Sequence, residues 1–431
     1  MISSLNEYSK PQRPIRVLQF GTGGFLRGFA DWMLQKLNDT TDFDGSVIVV
    51  QSTQSGQCDR LNSQNCLYTH TILDAETTET EIIDIIDRCI NIHTDYNAYL
   101  KLAEIPTLRF IISNTTEAGI IYDEYDRSDN ILPNSFPGRL TALLKHRYDS
   151  GLPGFIFLPC ELISRNGDVL KDCIFRYARL WNYECGFFDW IEKQNIFCCT
   201  LVDRINIGYP TGIDLKLQDS LANASEMYHL WVIESKQDIE SELPLPSAGL
   251  NVIYTKDALE EYYLRKVRIL NGAHTAMVCK GLLSGLVTVK DCLDDPQMAD
   301  FLKSCIFDEI IPTLDMPREE LEKYARDVFL RFSNPYIDHK LSAISLNSIS
   351  KFKVRLLPSI LAYRERFGHY PVRLSESLAK LLEFYKTMDP NDDPDTIQFI
   401  KFHTTQQILG NRNLWGEDLS EMIEVIAHED P

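Results

Sequence analysis

The stretch Ile15-Arg16-Val17-Leu18-Gln19-Phe20-Gly21-Thr22-Gly23-Gly24-Phe25-Leu26-Arg27-Gly28 decides how the first half of this chain is read. Its first six residues are a short apolar run of the kind that becomes a buried strand. A glycine-rich turn comes next, and Phe29 to Leu37 then repeats apolar residues at helical spacing. Strand, glycine turn and helix, in that order, give a dinucleotide fingerprint its physical meaning. Gly21 would permit the tight turn and Gly23 the close approach of backbone to a pyrophosphate, whose charge the helix N-terminus would receive. The third glycine of G-x-G-x-x-G is missing, because Leu26 stands there. The competing reading is a glycine-rich turn with no ligand.

Beyond the turn, Ser46-Val47-Ile48-Val49-Val50-Gln51 reads as the next strand, and Gln51 stands where an acidic residue would bind the adenosine ribose of NAD. A glutamine can hydrogen-bond a ribose hydroxyl but repels a 2′-phosphate less than a carboxylate does, so this position leaves NAD and NADP both open. Phe110-Ile111-Ile112-Ser113-Asn114 is a further β-rich run, and Asn114 and Thr115 at its end are candidates for nicotinamide-side contacts. Gly154 to Glu161 and Phe197 to Arg204 repeat the theme of an apolar run ending in a carboxylate, which would place Glu161 and Asp203 beside one crevice if both runs join one sheet. Alternation of strands and helices to about residue 230 predicts a mostly parallel, doubly wound sheet.

From about Asp257 the pattern changes to helical spacing, in Met298 to Ile311, Arg318 to Phe332, Leu341 to Phe367, Leu374 to Met388 and Thr396 to Leu409, with Pro335, Pro358, Pro371 and Pro390 marking bends or ends. The expected architecture is α/β: a Rossmann-type doubly wound N-terminal domain over 1–256 and a mostly α-helical C-terminal domain over 257–431. The chemistry is densest in Arg265-Lys266-Val267-Arg268-Ile269-Leu270-Asn271-Gly272-Ala273-His274. On an α-helix, at about 100° per residue, Lys266, Asn271 and His274 fall at roughly 0°, 140° and 80°, an arc that can share one side. A lysine acts as a general base when burial or a nearby cation lowers its pKa, a carboxamide can polarise a carbonyl, and an imidazole can orient a hydroxyl. Spacing alone favours the plainer reading, an exposed Lys266, a capping or solvent-facing Asn271 and a His274 satisfied in the core.

Composition narrows the classes. With 431 residues, 44% hydrophobic and 24% charged, the chain suits a two-domain globular protein. No run approaches the roughly 18 apolar residues of a membrane span, and the start lacks a basic segment followed by an apolar one, so a cytoplasmic location is expected. The 11 cysteines form no C-x-x-C pair, and no histidines stand at metal-ligand spacing, so neither zinc nor a disulfide framework is expected. A net charge of −19 argues against nucleic acid and anionic membrane as partners, while leaving room for a small anionic substrate held by local cations.

These segments resemble the polyol-specific long-chain dehydrogenase family, the mannitol dehydrogenase group. The likeness runs through Leu18 to Arg27, Ile112-Ser113-Asn114-Thr115-Thr116-Glu117-Ala118-Gly119, Leu158 to Leu162, Leu201 to Arg204, Lys266 to His274, Phe307 to Leu314 and Asn347 to Lys353, in order along nearly the whole chain. The resemblance implies NAD as cofactor, with Phe20, Gly21, Thr22, Gly23, Gly24, Phe25, Leu26 and Arg27 in the cofactor turn. It implies hydride transfer without metal, Lys266 as general acid/base, Asn271 polarising the reacting oxygen and His274 holding substrate. Asp203, Lys351 and Glu161 match substrate-site positions. Two departures weigh against a mannitol pocket: Leu162 replaces an asparagine after the acidic residue, and Ala343 replaces an arginine eight residues before Lys351. An anionic keto-hexuronate is the expected substrate, with other sugar-alcohol chemistry on the same scaffold as the alternative. The pocket then needs a cation besides Lys266, either Lys351 or one of Arg204 and Arg268. A catalytically inert NAD-binding regulator would need the glycine turn but not Lys266, Asn271 and His274 together.

Overall fold

A computed structural model describes residues 5–74, 78–115, 119–127, 132–211, 213, 215 and 217–427, so Thr116, Glu117 and Ala118 of the likeness lie outside the described residues. The chain divides into two compact units, Met1–Leu259 and Glu260–Pro431.

The first unit is built on six strands: β1 (Ile15–Phe20), β2 (Ser46–Gln51), β3 (Ile86–Asn91), β4 (Phe110–Ser113), β5 (Ile156–Pro159) and β6 (Ile196–Phe197). Their spatial order is β3-β2-β1-β4-β5-β6, with every neighbouring pair parallel. This is the doubly wound dinucleotide-binding order, and its direction of winding reverses between β1 and β4. A parallel sheet is covered on both faces, so its strands are apolar throughout; every residue of β2 is buried. Alternate side chains enter two different cores. Val17, Val47 and Val49 pack with Phe29, Met33 and Leu37 of the helix Ala30–Thr40 and its lead-in. Leu18, Ile48 and Val50 pack on the other face with Leu140 and Ile174, from the helices Phe136–Asp149 and Asn166–Leu180.

One expectation is corrected. The run Phe197 to Arg204 is not a single strand, because the chain changes sheets at Cys198. Ile196–Phe197 pairs with β5, whereas Cys199–Asp203 pairs antiparallel with Leu230–Glu234, which runs parallel to Val252–Thr255. Glu161 therefore follows a strand of one sheet, and Asp203 ends a strand of another. The buried amide of Asn166 occupies the split: its Nδ2 donates to the carbonyls of Pro159, Glu161 and Thr200 at 2.9, 3.0 and 3.0 Å, and its Oδ1 accepts from Thr200 N at 2.9 Å. These bonds satisfy backbone groups that a continuous ladder would otherwise pair. A four-stranded sheet of Tyr68–Leu73, Thr78–Ile83, Asn206–Gly208 and Asn223–Ser225 completes the strands described in this unit.

The second unit is helical. Arg318–Phe332 forms as its spacing predicts, Pro358 sits in the first turn of Leu357–Phe367, and Pro371 precedes Val372–Thr387. Among the described residues, Lys266–Asn271 and Ser304–Ile310 are π-helical, and Ile311–Thr313 and Ser420–Met422 are short 3-10 turns.

Beneath the glycine turn, Asp31 is fully buried. Gln19 Nε2 donates both to its Oδ2 and to Gly21 O, each at 3.2 Å, while Oδ1 has no partner among the described residues. Burial pushes its carboxyl up to about 7, against the smaller opposing pulls of Gln19 and Arg27. Below the unfolded value of about 3.9 the group is protonated in both states and costs nothing. As pH rises toward and through the folded value, stability is lost. Asp31→Asn should therefore stabilise the protein more at pH 8 than at pH 5, by about 2 kcal/mol. Urea unfolding at the two pH values measures this, and an equal effect at both would show that the Asp31 carboxyl is not raised by the fold.

Candidate functional site

At the C-terminal ends of β1 and β4, where the winding reverses, the first unit holds a cavity of about 790 Å³. Gly21, Thr22 and Gly23 form one wall and Asn114 and Thr115 another, with Ser52, Thr53, Gln54, His93 and Arg139 also lining it. Gly21 has φ +130°, and a Cβ there would stand 3.1 Å from Asn114 O and 3.1 Å from Leu26 Cδ1, so both the turn and its packing need glycine. Gly23 is different. Its φ of −69° suits any residue, and a Cβ there would meet no atom of the described residues within 4 Å. No contact among the described residues requires a bare backbone at Gly23, and the open space before it fits the approach of a pyrophosphate. A one-turn helix, Gly24–Arg27, comes next, and the chain breaks at Phe29 before Ala30–Thr40 begins.

The remaining turn residues face the protein. Phe20 is buried against Tyr99 and Phe136, and Phe25 stacks on Phe29 at 5.2 Å. The close packing assigned to a third glycine falls to Gly24 and Gly28 instead. A Cβ on Gly28 would stand 2.5 Å from Ser225 Oγ, and one on Gly24 would stand 2.8 Å from Asn206 Nδ2. Leu26, in the place of that glycine, is core. Arg27 is buried with its guanidinium on Leu221 O and over the Tyr68 ring at 5.1 Å, and burial lowers its pKa.

Gln51 does not line the cavity. Its Nε2 donates to Thr53 O at 3.1 Å and its Oε1 accepts from Cys58 N at 2.9 Å, which shapes the loop after β2. The residues that loop presents, Ser52 to Gln54, carry no motif of their own, although their position at a strand end is a usable signal. Arg139 anchors the same corner, donating from Nε to Pro133 O at 2.7 Å and from Nη1 to Ser52 O. Nothing local in the sequence marks it.

Glu161 is 2% exposed and braces the cavity wall. Its Oε1 accepts from both Thr115 N and Thr115 Oγ1 at 2.9 Å, and its Oε2 accepts from Ser113 Oγ at 3.0 Å. Burial raises its pKa, partly offset by these bonds. Asp203 is buried at the end of its strand, opposite Leu230. Arg204 is committed to structure, donating to Glu226 O at 3.0 and 2.9 Å and to Gly28 O at 2.7 Å while lying 4.1 Å over Trp32.

In the second unit, Lys266 and Asn271 are the first and last residues of the π segment. In a π-helix residues five apart come together on one side, as residues four apart do in an α-helix, so Lys266 and Asn271 align more closely than α geometry would allow. His274 lies a turn further on, in the helix Gly272–Leu283. Lys266 and Asn271 are half-buried, and His274 is 7% exposed with no hydrogen-bond partner for Nε2 among the described residues. Burial, reinforced by His339, Arg355, Arg331 and Lys351, holds its pKa well below the ordinary histidine value, so the ring is neutral near pH 7. Lys351 Nζ donates to Ile344 O at 2.7 Å, and Arg268 is committed to Val354 O at 3.0 Å. Among the described residues, no group of three or more His, Cys, Asp or Glu side chains is placed to hold a metal, and no helix is long and apolar enough to cross a membrane.

A parallel sheet wound in dinucleotide-binding order with a glycine-walled cavity at its point of reversal is a dinucleotide-binding arrangement, and with the sequence likenesses that follow the chain is an NAD-dependent oxidoreductase that acts on CH–OH groups. The sequence matches the mannitol dehydrogenase Rossmann domain over residues 15–247 and the mannitol dehydrogenase C-terminal domain over residues 258–428. The chain belongs to the mannitol dehydrogenase family. Among its relatives, altronate oxidoreductase of Bacillus subtilis is 46% identical over 95% of this chain and 90% of its own length. That of Bacteroides thetaiotaomicron is 39% identical over 98% and 94%. In fold, the chain is similar to a substrate-free D-sorbitol dehydrogenase, with TM-score 0.84, 23% identity and coverage of 100% and 97%. It is also similar to Pseudomonas fluorescens mannitol 2-dehydrogenase, solved with NAD and D-mannitol, with TM-score 0.74, 22% identity and coverage of 98% and 92%.

Because no atom of the described residues contests the space at Gly23, Gly23→Val should leave thermal stability within about 0.5 kcal/mol of wild type while weakening NADH binding by on the order of tenfold or more. Fluorescence titration with NADH and a melting curve separate the two effects. Unchanged NADH affinity would move the pyrophosphate away from this turn.

Proposed function

We propose that this protein is a tagaturonate reductase, interconverting tagaturonate and altronate with NAD(H). The observation that carries the reading is the 46% identity, along nearly the whole of both chains, to an altronate oxidoreductase. The absence of arginine at position 343 and of asparagine at position 162 supports a uronate over mannitol.

NADH, when bound, supplies the hydride, and that chemistry is the cofactor's own. Gly21, Thr22, Gly23, Asn114 and Thr115 would hold it, with Glu161 fixing Thr115. As the keto carbon is reduced its oxygen gains negative charge, and two groups of the helical unit meet that need. The Asn271 amide donates a hydrogen bond to the oxygen, and the Lys266 ammonium gives it a proton, leaving a neutral amine. In the direction of oxidation Lys266 Nζ takes the hydroxyl proton. The π segment supports this pairing because it sets the two side chains five residues apart on one side. His274, neutral and with no partner for Nε2 among the described residues, orients a substrate hydroxyl.

Lys266→Ala removes the proton donor and should lower kcat by on the order of 10² to 10⁴ with NADH affinity near wild type. Normal turnover by the variant would reject the lysine. Initial rates of NADH oxidation with tagaturonate, fructuronate and fructose test the substrate directly: the largest kcat/KM should belong to tagaturonate, and preference for fructuronate or fructose would replace it.

A further inference from the structure

The end of β2 is where a dinucleotide-binding sheet meets the adenosine ribose, and in this chain it is built without an acid. The stretch Gln51-Ser52-Thr53-Gln54-Ser55-Gly56-Gln57-Cys58 holds no Asp or Glu. Gln51 itself is locked inward. Besides its bonds to Thr53 O and Cys58 N, its amide is covered by Gly56, where a Cβ would stand 2.4 Å from Gln51 Cδ and 2.4 Å from its Oε1. At the far end of the loop Gln57 N donates to Thr22 Oγ1 at 3.3 Å, which fastens the loop to the glycine turn.

With Gln51 turned away, the cavity wall at this strand end is Ser52, Thr53 and Gln54. Ser52 is held from two directions: its carbonyl accepts from Nε2 of His93, just after β3, at 3.1 Å, and from Nη1 of Arg139, on the helix Phe136–Asp149. Its hydroxyl, by contrast, is buried without a hydrogen-bond partner among the described residues. A buried hydroxyl left unsatisfied costs stability, and rotation about a single bond is enough to offer it to a ligand at the wall. His93 and Arg139 line the same cavity, and the guanidinium brings a lasting positive charge to it. The carboxylate that lines it among the described residues, Asp123, stands on the chain after β4 rather than β2, where its Oδ1 accepts from Tyr125 N at 2.9 Å.

An acid at the end of β2 selects NAD in two ways, by bonding the ribose hydroxyls and by repelling a 2′-phosphate. A neutral hydroxyl does the first and not the second, and a neighbouring guanidinium reverses the sign of the second. We propose that Ser52, rather than the strand-end Gln51, bonds the 2′-position of the adenosine ribose, and that this wall, with Arg139 behind it, admits a 2′-phosphate, so that the enzyme binds NADPH as well as NADH. Both cofactors deliver the same hydride, so this preference is independent of which sugar acid is reduced.

Fluorescence titration of the full-length enzyme, with no sugar present, measures Kd for NADH and for NADPH in the wild type and in Ser52→Asp, Ser52→Ala and Gln51→Glu, with a melting curve for each. The wild type should bind NADPH within about tenfold of NADH. Ser52→Asp should keep NADH within about threefold of wild type and weaken NADPH by about 10²-fold, because a carboxylate then faces the phosphate. Ser52→Ala removes only the hydroxyl and should weaken both cofactors about fivefold at an unchanged melting temperature. Gln51→Glu, whose side chain faces its own loop, should lower the melting temperature and leave the ratio of the two Kd values as in wild type. NADPH bound more than about tenfold weaker than NADH by the wild type, Ser52→Ala binding both cofactors as the wild type does, or discrimination created by Gln51→Glu and not by Ser52→Asp would each overturn the assignment. Should Ser52→Asp fail to fold, the wild-type ratio and Ser52→Ala still decide it.

Discussion

The carbonyl of Asn114 and the backbone of Gly21 approach so closely that only a residue without Cβ, at φ +130°, can connect β1 to the helix Gly24–Arg27. This constraint lies where the two halves of the parallel sheet wind apart. Gly21 N still bonds Val50 O at 3.2 Å, and Asn114 N bonds Phe20 O at 3.0 Å, so both neighbours of β1 hold the turn in register. The cavity, the loop after β2 and the wall at Thr115 are all consequences of strands that end together and chains that then diverge. Glu161 converts that geometry into rigidity by clamping the end of β4 with three hydrogen bonds. A carboxylate can be buried this deeply because each of its oxygens is satisfied.

What the sequence discloses depends on how local the determining physics is. Ile15–Phe20, Ser46–Gln51 and Arg318–Phe332 have the bounds that their apolar patterns predict, because burial on both sheet faces or on one helical stripe is written into consecutive residues. Gly21 is legible because the positive φ that the turn demands belongs to that single position. The change of sheet at Cys198 is not, since it depends on Asn166, more than thirty residues away in sequence, filling the gap between strands. The side chain of Gln51 occupies the expected strand end, yet its amide turns into its own loop, a choice made by Thr53 and Cys58 rather than by the strand. Arg139 lines the cavity from a helix whose pattern advertises only packing.

The helical unit shows the same division. Lys266, Asn271 and His274 draw attention by residue type alone, but the angles that α geometry assigns them do not hold, because the backbone is π over Lys266–Asn271. The packing of His274 against Phe332 and His339 joins two distant segments, so no window of sequence contains it. Tertiary convergence of this kind is a feature that only packing reveals.

The π segment also bears on how this region can vary. A π turn is equivalent to an α-helix carrying one residue more than its hydrogen-bond ladder accommodates. Removing any one residue between Lys266 and Asn271 would restore the α ladder while rotating everything before the deletion by about 100° relative to everything after it. The stretch can therefore exchange many of its side chains but not its length, and any gain in helix stability would come with a loss of alignment between its two polar ends.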